Sequence, residues 1–406
     1  MSASEEEPPR EIQRHPGEGR GPRTRERLDS GFRRNDDRLD ASVLCRGRNV
    51  TPAKAGVHAL VNVWIPAFAG MTTDWRGAEE AVLVPRATPV RCFGAREGSE
   101  AMDQVTVYAP GSVSNLGPGF DCLGLAFTGK GDRVLARCGE RSGVRVARVS
   151  DPRVPRDAGG NTAALGAAAA LRLAGSSIGL ELEIEKGLPL GGGLGGSAAS
   201  AVAGALAADA LLGSVLSREA LFEAALDAET AVSGRHGDNV APSLLGGCVL
   251  VASLDPPRLC PVQVHPSLGL VLGMPEYSVR TFEARAVLPA QIPREQGVGQ
   301  AARLGALLLG LERGDQDLIR ASMWDAIAEP ARASLFPGLA QARAAGLEAG
   351  ALGVAVSGAG PAVVALVAGG RRGEVARALE EGFARAGISA GTHLAEVDTA
   401  GAKVLA

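Results

Sequence analysis

The stretch LPLGGGLGGSAA, residues 188–199, sets a run of small residues between two segments of different periodicity. Before it, Leu-Glu-Leu-Glu-Ile-Glu at 180–185 alternates apolar and acidic side chains, which predicts a half-exposed antiparallel strand. After it, residues 197–212 are alanine-rich and predict a helix. The apolar run from Leu194 to Leu216 contains Asp209 and begins inside the glycine loop, so it reads as a buried helix rather than a membrane span. Strand, glycine loop and helix start together make an anion site. Small residues let the backbone approach a phosphate, and unpaired N–H groups with the helix dipole face it. No Gly-Lys-Ser/Thr follows, which excludes a Walker A loop. No βαβ unit with a ribose-binding acid surrounds it, which excludes a dinucleotide fingerprint. Alone, the run fits a tight turn in a glycine-rich chain equally well.

Two other loops extend the pattern. PGSVSNLGPGFD, residues 110–121, follows an alternating strand at 105–109 that is expected to end at Pro110. It carries Ser112, Ser114, Asn115 and Asp121, and by itself could be an irregular loop held by Asx turns. VSGAGP, residues 356–361, lies between two hydrophobic strands within 353–368 and in isolation reads as a wide hairpin. Ser217 is a good N-cap for a helix over 218–229, with Glu219 in its first turn. Helices are expected near 300–312 and 316–329, and Val375, Leu379 and Phe383 stripe a last one. Strands and helices in mixed order, without regular βαβ alternation, predict an α+β fold. The turn-rich stretch at Pro256-Pro257 is the expected internal boundary.

Composition narrows the function. The 406 residues hold 42 basic and 45 acidic side chains, too balanced for a polybasic nucleic-acid binder or an acidic solvating tail. The 55 glycines follow no collagen period, and with abundant alanine and only four lysines they read as the codon bias of a GC-rich genome. Six cysteines show neither a C-x-x-C nor a histidine at zinc spacing, so no disulfide framework or Cys/His metal site is expected. The acidic start is unlike a signal peptide. A cytoplasmic, reduced, soluble protein without nucleic-acid or membrane partners is the expectation.

The first hundred residues differ from the rest. Residues 1–50 carry 11 arginines and 10 acids with little apolar periodicity, the signature of disorder. RHPGEGRGP with LDSGFRRNDD, and NVTPAKAGV with WIPAFAGMTT, resemble translated fragments of a dispersed bacterial repeat element. Arg96-Glu97-Gly98-Ser99 can be encoded by a purine-rich ribosome-binding sequence, so translation is expected to start at Met102, with residues 1–101 a disordered or misassigned extension.

The three loops occur in order over about 250 residues: PGSVSNLGPGFDCLGLA, PLGGGLGGSAAS and SGAGPA. This arrangement resembles the GHMP kinases, from Met102 to the C-terminus. Within them GRHGDNVAPSLLGG at 234–247 resembles the homoserine kinases most, supported by TFEAR at 281–285 and AEPAR at 328–332. The resemblance implies a two-domain fold with a central nucleotide cleft, an ATP-binding domain at 102–255 and a C-terminal domain at 256–406. It implies ATP-dependent phosphorylation of L-homoserine to O-phospho-L-homoserine, towards threonine, by a cytoplasmic enzyme with a homodimer as the familial guess. A kinase of another small alcohol such as mevalonate or shikimate, or an inactive nucleotide-binding relative, are the alternatives.

The resemblance also assigns roles. The phosphates of ATP would lie on Pro189, Leu190, Gly191, Gly192, Gly193, Leu194, Gly195, Gly196, Ser197 and Ala198, with Asn161 towards the adenine. Ser197 and Glu229 would hold Mg2+, which takes hard oxygen donors. Arg285 and Arg332 would grip the substrate carboxylate as guanidinium forks. Asn115 and Asp121 would take its ammonium, Thr281 would hydrogen-bond it, and His236 and Asp238 would lie nearby. Without the resemblance each arginine reads as a surface charge, His236 as a structural histidine and Glu229 as a solvent-facing acid. Asn239 stands where some relatives place a catalytic aspartate. An amide is no base at neutral pH, so catalysis would rest on positioning, with the substrate proton passing to phosphate. Three departures stand out: Gly196 replaces the first of two serines, Ala362 a threonine and Ala331 an aromatic residue.

Overall fold

Alternation at the start of the globular region produces a strand that runs further than its proline suggests. In the computed structural model, which describes residues 103–405, β1 spans Gln104–Asn115 and passes through Pro110. Its register against β2 (Gly119–Gly139) shifts between Pro110 and Ser112, so the residue without an N–H sits at an irregularity of the ladder. The extension 1–101 and the start at Met102 lie outside the described residues.

The first sheet has seven strands. β3 (Gly143–Val149) and β4 (Gly179–Glu185) complete a β11-β1-β2-β4-β3 order, β11 being Lys403–Leu405. The alternating segment is β4, with Leu180, Leu182 and Ile184 buried. It pairs antiparallel with β2 but parallel with β3, so the antiparallel expectation held on one side only. The other half of β2 pairs with β5 (Cys248–Leu254), which forms a hairpin with β6 (Pro257–Val262). Pro256 is therefore in a hairpin turn of the first sheet and Pro257 opens β6. The chain enters the second sheet only at β7 (Leu268–Pro275), later than the expected boundary. β8 (Gly353–Val356), β9 (Val363–Ala368) and β10 (Ala390–Ala395) complete this antiparallel sheet in the order β10-β7-β9-β8.

Helices α1 (Thr162–Leu173) and α2 (Gly196–Leu211) lie on the first sheet, and α3 (Arg218–Val232) packs on these two helices. α2 is buried on nearly every side, as an all-round apolar helix must be. Its alanines and glycines have a packing reason: a methyl on Gly166 of α1 would lie 2.3 Å from the Ala201 carbonyl, and one on Gly204 2.0 Å from that of Ala163. The helices touch backbone to backbone, which genome bias alone does not explain. Ser217 caps α3 by accepting from the Ala220 N–H, and short α4 (Val240–Leu245) follows.

On the second sheet lie α9 (Leu339–Glu348) and α10 (Arg372–Arg385), whose Val375, Leu379 and Phe383 fill a second core. Between the sheets in sequence run α5 (Thr281–Ala286), α6 (Arg294–Arg313), α7 (Gln316–Ser322) and α8 (Ala328–Ala331). The single helix expected over 316–329 is two, because the Asp325 carboxylate accepts from the N–H groups of Ile327, Ala328 and Glu329 and starts a new helix. No helix among the described residues is long and apolar enough to cross a membrane.

Candidate active site

Hydrogen bonds to backbone carbonyls bring the three loops together. Ser112 N–H donates to the Leu194 carbonyl at 3.2 Å, and Ala362 N–H to that of Gly192 at 3.2 Å. Ser357 Oγ donates to the Gly193 carbonyl at 2.6 Å, and Asn115 Nδ2 to that of Gly358 at 3.0 Å. Gly193 has φ +75°, and a methyl there would stand 2.5 Å from the Ser357 carbonyl oxygen. Glycine is required for conformation and for proximity at once. The 357–362 loop is the hairpin expected between two hydrophobic strands, β8 and β9 pairing antiparallel with Val356 opposite Val363, and with the other two loops it makes one interlocked wall. It bounds a cleft of about 330 Å3.

One end of the cleft is an anion cradle. Gly195, at φ +68°, is the N-cap of α2, and the first helical bond runs from Ala199 N–H to the Gly195 carbonyl. The N–H groups of Gly196, Ser197 and Ala198 thus have no partner further back in the helix. Pro189 to Gly193, Gly195, Gly196 and Ser197 line the cleft, whereas the side chains of Leu194 and Ala198 are in the core. Asn161 lines it too, but its amide accepts from Ala164 N–H and donates to the Pro155 carbonyl. It caps α1 and shapes the wall.

Beneath the cradle lies a pair that sequence reading missed. Lys186, the residue after β4, is buried against Asp132 of β2. Its ammonium also donates to the Gly196 carbonyl at 2.8 Å and to Ser200 Oγ at 2.9 Å, so its three protons are all placed. Asp132 accepts from Lys186, from Ser200 Oγ and from Gly187 N–H. The cluster ties the strand end before the loop to the helix start after it. The scarcity of lysine was the only hint, and nothing local marks Asp132.

Beside the cradle, Ser197 Oγ donates to Glu229 Oε1 at 2.8 Å. Glu229 Oε2 is buried with no hydrogen-bond partner, and burial raises the carboxyl pKa. An orphaned carboxylate oxygen next to a hydroxyl, facing an anion site, suits a hard divalent cation that takes its other oxygens from phosphate and water. The solvent-facing reading of Glu229 fails.

The opposite end is crowded with charge. Arg285 of α5 donates to both oxygens of Asp121, at 2.7 and 3.1 Å. Buried Arg332 donates to the carbonyls of Ala284 at 2.7 Å and Gly358 at 3.2 Å. Burial lowers its pKa, and the neighbouring Arg285 charge adds to that. Phe120, which sequence reading passed over, sits 5.8 Å from one guanidinium carbon and 5.1 Å from the other. Asn115 accepts from Asp121 N–H at 3.2 Å, so it fixes that aspartate as well as the third loop. His236 Nδ1 is 3.7 Å from Asp121 Oδ2, and burial lowers its pKa. Burial, then the Asp121 charge, pushes Asp238 up to about 7. Thr281 opens α5 on the cleft wall. Between the two ends, Asn239 donates to Ser114 Oγ at 3.0 Å and accepts from Ser112 Oγ at 2.9 Å. The cleft can hold a polyphosphate at one end and a small ligand bearing carboxylate and ammonium at the other.

Residues 162–247 match the GHMP kinases N terminal domain, and residues 307–385 the GHMP kinases C terminal domain. Homoserine kinase of Xanthomonas campestris pv. campestris is 38% identical over 312 residues, covering 76% of this chain and 96% of that protein. Homoserine kinase of Pyrococcus abyssi is 39% identical over 285 residues, covering 70% and 94%. The crystal structure of homoserine kinase from Cytophaga hutchinsonii superposes with a TM-score of 0.73 at 39% identity, covering 76% of this chain and 99% of that one.

Proposed function

The chain belongs to the homoserine kinases of the GHMP family, and from that premise we propose which of its residues carry the phosphorylation of L-homoserine by ATP. The observation that carries the assignment is the cleft itself, with an anion cradle at one end and paired arginines with a carboxylate at the other.

The amides of Gly196, Ser197 and Ala198 and the dipole of α2 hold the phosphates of ATP at the helix start. Arg332, anchored to two carbonyls, and Arg285 receive the substrate carboxylate, and Asp121 its ammonium, with Asn115 holding Asp121 in place. The hydroxyl then points along the cleft towards the cradle, past Asn239 and Ser114. Asn239 orients and takes no proton, so the hydroxyl proton passes to an oxygen of the phosphoryl group as the substrate oxygen bonds to it and its bond to ADP breaks. A loose transition state makes little demand for a strong base, and positioning supplies most of the acceleration. Ser197 and Glu229 would hold Mg2+, the orphaned Glu229 oxygen being the observation that fits it. When bound, the ion would neutralise charge on the phosphates. The rest of the proposal is a cytoplasmic homodimer in which residues 1–101 are dispensable. The support for dispensability alone is that relatives matched over almost their whole length account for about three-quarters of this chain.

Arg332→Ala tests the substrate end. Losing a buried carboxylate partner should raise the homoserine KM by roughly 2–5 kcal/mol in free-energy terms, with the ATP KM little changed. An unchanged homoserine KM would remove Arg332 from the site.

A further inference from the structure

The charges that await the substrate are already spent on each other. Arg285 holds Asp121 through two parallel hydrogen bonds, while its Nε is buried with no partner. The main chain that carries Asp121 is fixed: it is left-handed at φ +58°, and its N–H is held by Asn115. The Phe120 ring lies against Arg285 and Arg332, so an apolar surface borders the pair. Arg332 is tied to carbonyls, which makes Arg285 the guanidinium whose charge partner a ligand must displace.

We propose that Asp121 and Arg285 act as internal counter-ions that make the site select ligands carrying both an ammonium and a carboxylate. This rests on the substrate assignment above. A hydroxylated amino acid replaces both halves at once, its ammonium taking the place of the guanidinium on Asp121 and its carboxylate that of Asp121 on Arg285. A hydroxy acid can satisfy Arg285 only by stranding Asp121, and an amino alcohol satisfies Asp121 only by stranding Arg285. A stranded, partly desolvated charge is strongly unfavourable. Selection therefore comes from breaking a pair, beyond what the subsites gain separately.

The two contributions separate on the full chain, with calorimetric binding of L-homoserine, 4-hydroxybutanoate (no ammonium) and 3-aminopropan-1-ol (no carboxylate). The native protein should bind homoserine at least roughly 100-fold more tightly than either analogue. In Asp121→Asn, homoserine should weaken by at least roughly tenfold, whereas 4-hydroxybutanoate should bind several-fold more tightly because Arg285 is released. Arg285→Gln should give the mirror image with 3-aminopropan-1-ol, and it serves alone if Asp121→Asn loses its native circular dichroism. If 4-hydroxybutanoate binding is unchanged or weaker in Asp121→Asn, or 3-aminopropan-1-ol in Arg285→Gln, the residues are separate subsites and the counter-ion account is overturned. Homoserine turnover by the native chain, measured alongside, tells this failure from failure of the kinase reading.

Discussion

Gly193→Ala probes the contact on which the cleft depends. The residue has φ +75°, where a side chain costs about 1–2 kcal/mol. The new methyl would also lie 2.5 Å from the Ser357 carbonyl oxygen and 2.9 Å from that of Gly360, backbone atoms that no rotamer change can move. The loops must part, stretching the bonds from Ser357 Oγ to the Gly193 carbonyl and from Ala362 N–H to the Gly192 carbonyl. At about 1 kcal/mol each, the total is about 3–4 kcal/mol. For a folded region of this size that lowers Tm by roughly 5–6 °C. Because the same loop is proposed to cradle the phosphates, the ATP KM should rise by at least roughly tenfold, while that for homoserine changes less. Calorimetric melting and initial rates measure both. Gly305→Ala is the control, since it lies in α6 with nothing within 4 Å of an added methyl. It should be neutral or stabilise by up to about 1 kcal/mol. A Gly193→Ala protein that melts and turns over like the control would refute the interlocked-loop account.

Three other perturbations have defined outcomes. Asp132→Asn leaves the Lys186 ammonium buried without its counter-charge, and should cost about 3–5 kcal/mol in chemical denaturation; a loss below 1 kcal/mol would mean the pair is not structural. Glu229→Gln should raise the Mg2+ concentration for half-maximal rate by at least roughly tenfold, and an unchanged titration would take Glu229 out of the metal site. Asp238 has a folded pKa of about 7 against an ordinary 3.8, so the fold favours its protonated form. Its contribution is complete below about pH 4 and is lost as pH rises through about 7, a decline of up to about 4 kcal/mol. Asp238→Asn lacks that proton, so its stability relative to the native chain should improve between pH 4 and 8; a difference independent of pH would contradict the assignment.

What could be read from sequence was what short spacings encode. The glycine loop, its flanking strand and helix, and the Ser217 cap each depend on a dozen residues or fewer. What escaped depends on distant partners. Asp121 and Arg285 are 164 positions apart, and no local pattern says that they neutralise each other. Lys186 and Asp132 meet because β4 pairs with β2, and neither carries a motif. Pro110 looked like a strand end because its missing N–H was judged without the register shift that accommodates it. The run 316–329 looked like one helix because Asp325 was counted as a helical residue, whereas its carboxylate caps the next helix. Pro256-Pro257 looked like a domain boundary because a hairpin turn and a linker have the same composition. Alanine and glycine read as genome bias acquired a structural reason once α1 and α2 were seen in backbone contact.

The most direct test of the whole account is ATP-dependent ADP release by the purified chain, coupled to a spectrophotometric readout, with L-homoserine, mevalonate, shikimate and L-threonine offered in turn. Homoserine alone should support rapid turnover, with O-phospho-L-homoserine formed in equal amount to ADP. No homoserine-dependent release, or faster release with mevalonate or shikimate, would contradict it.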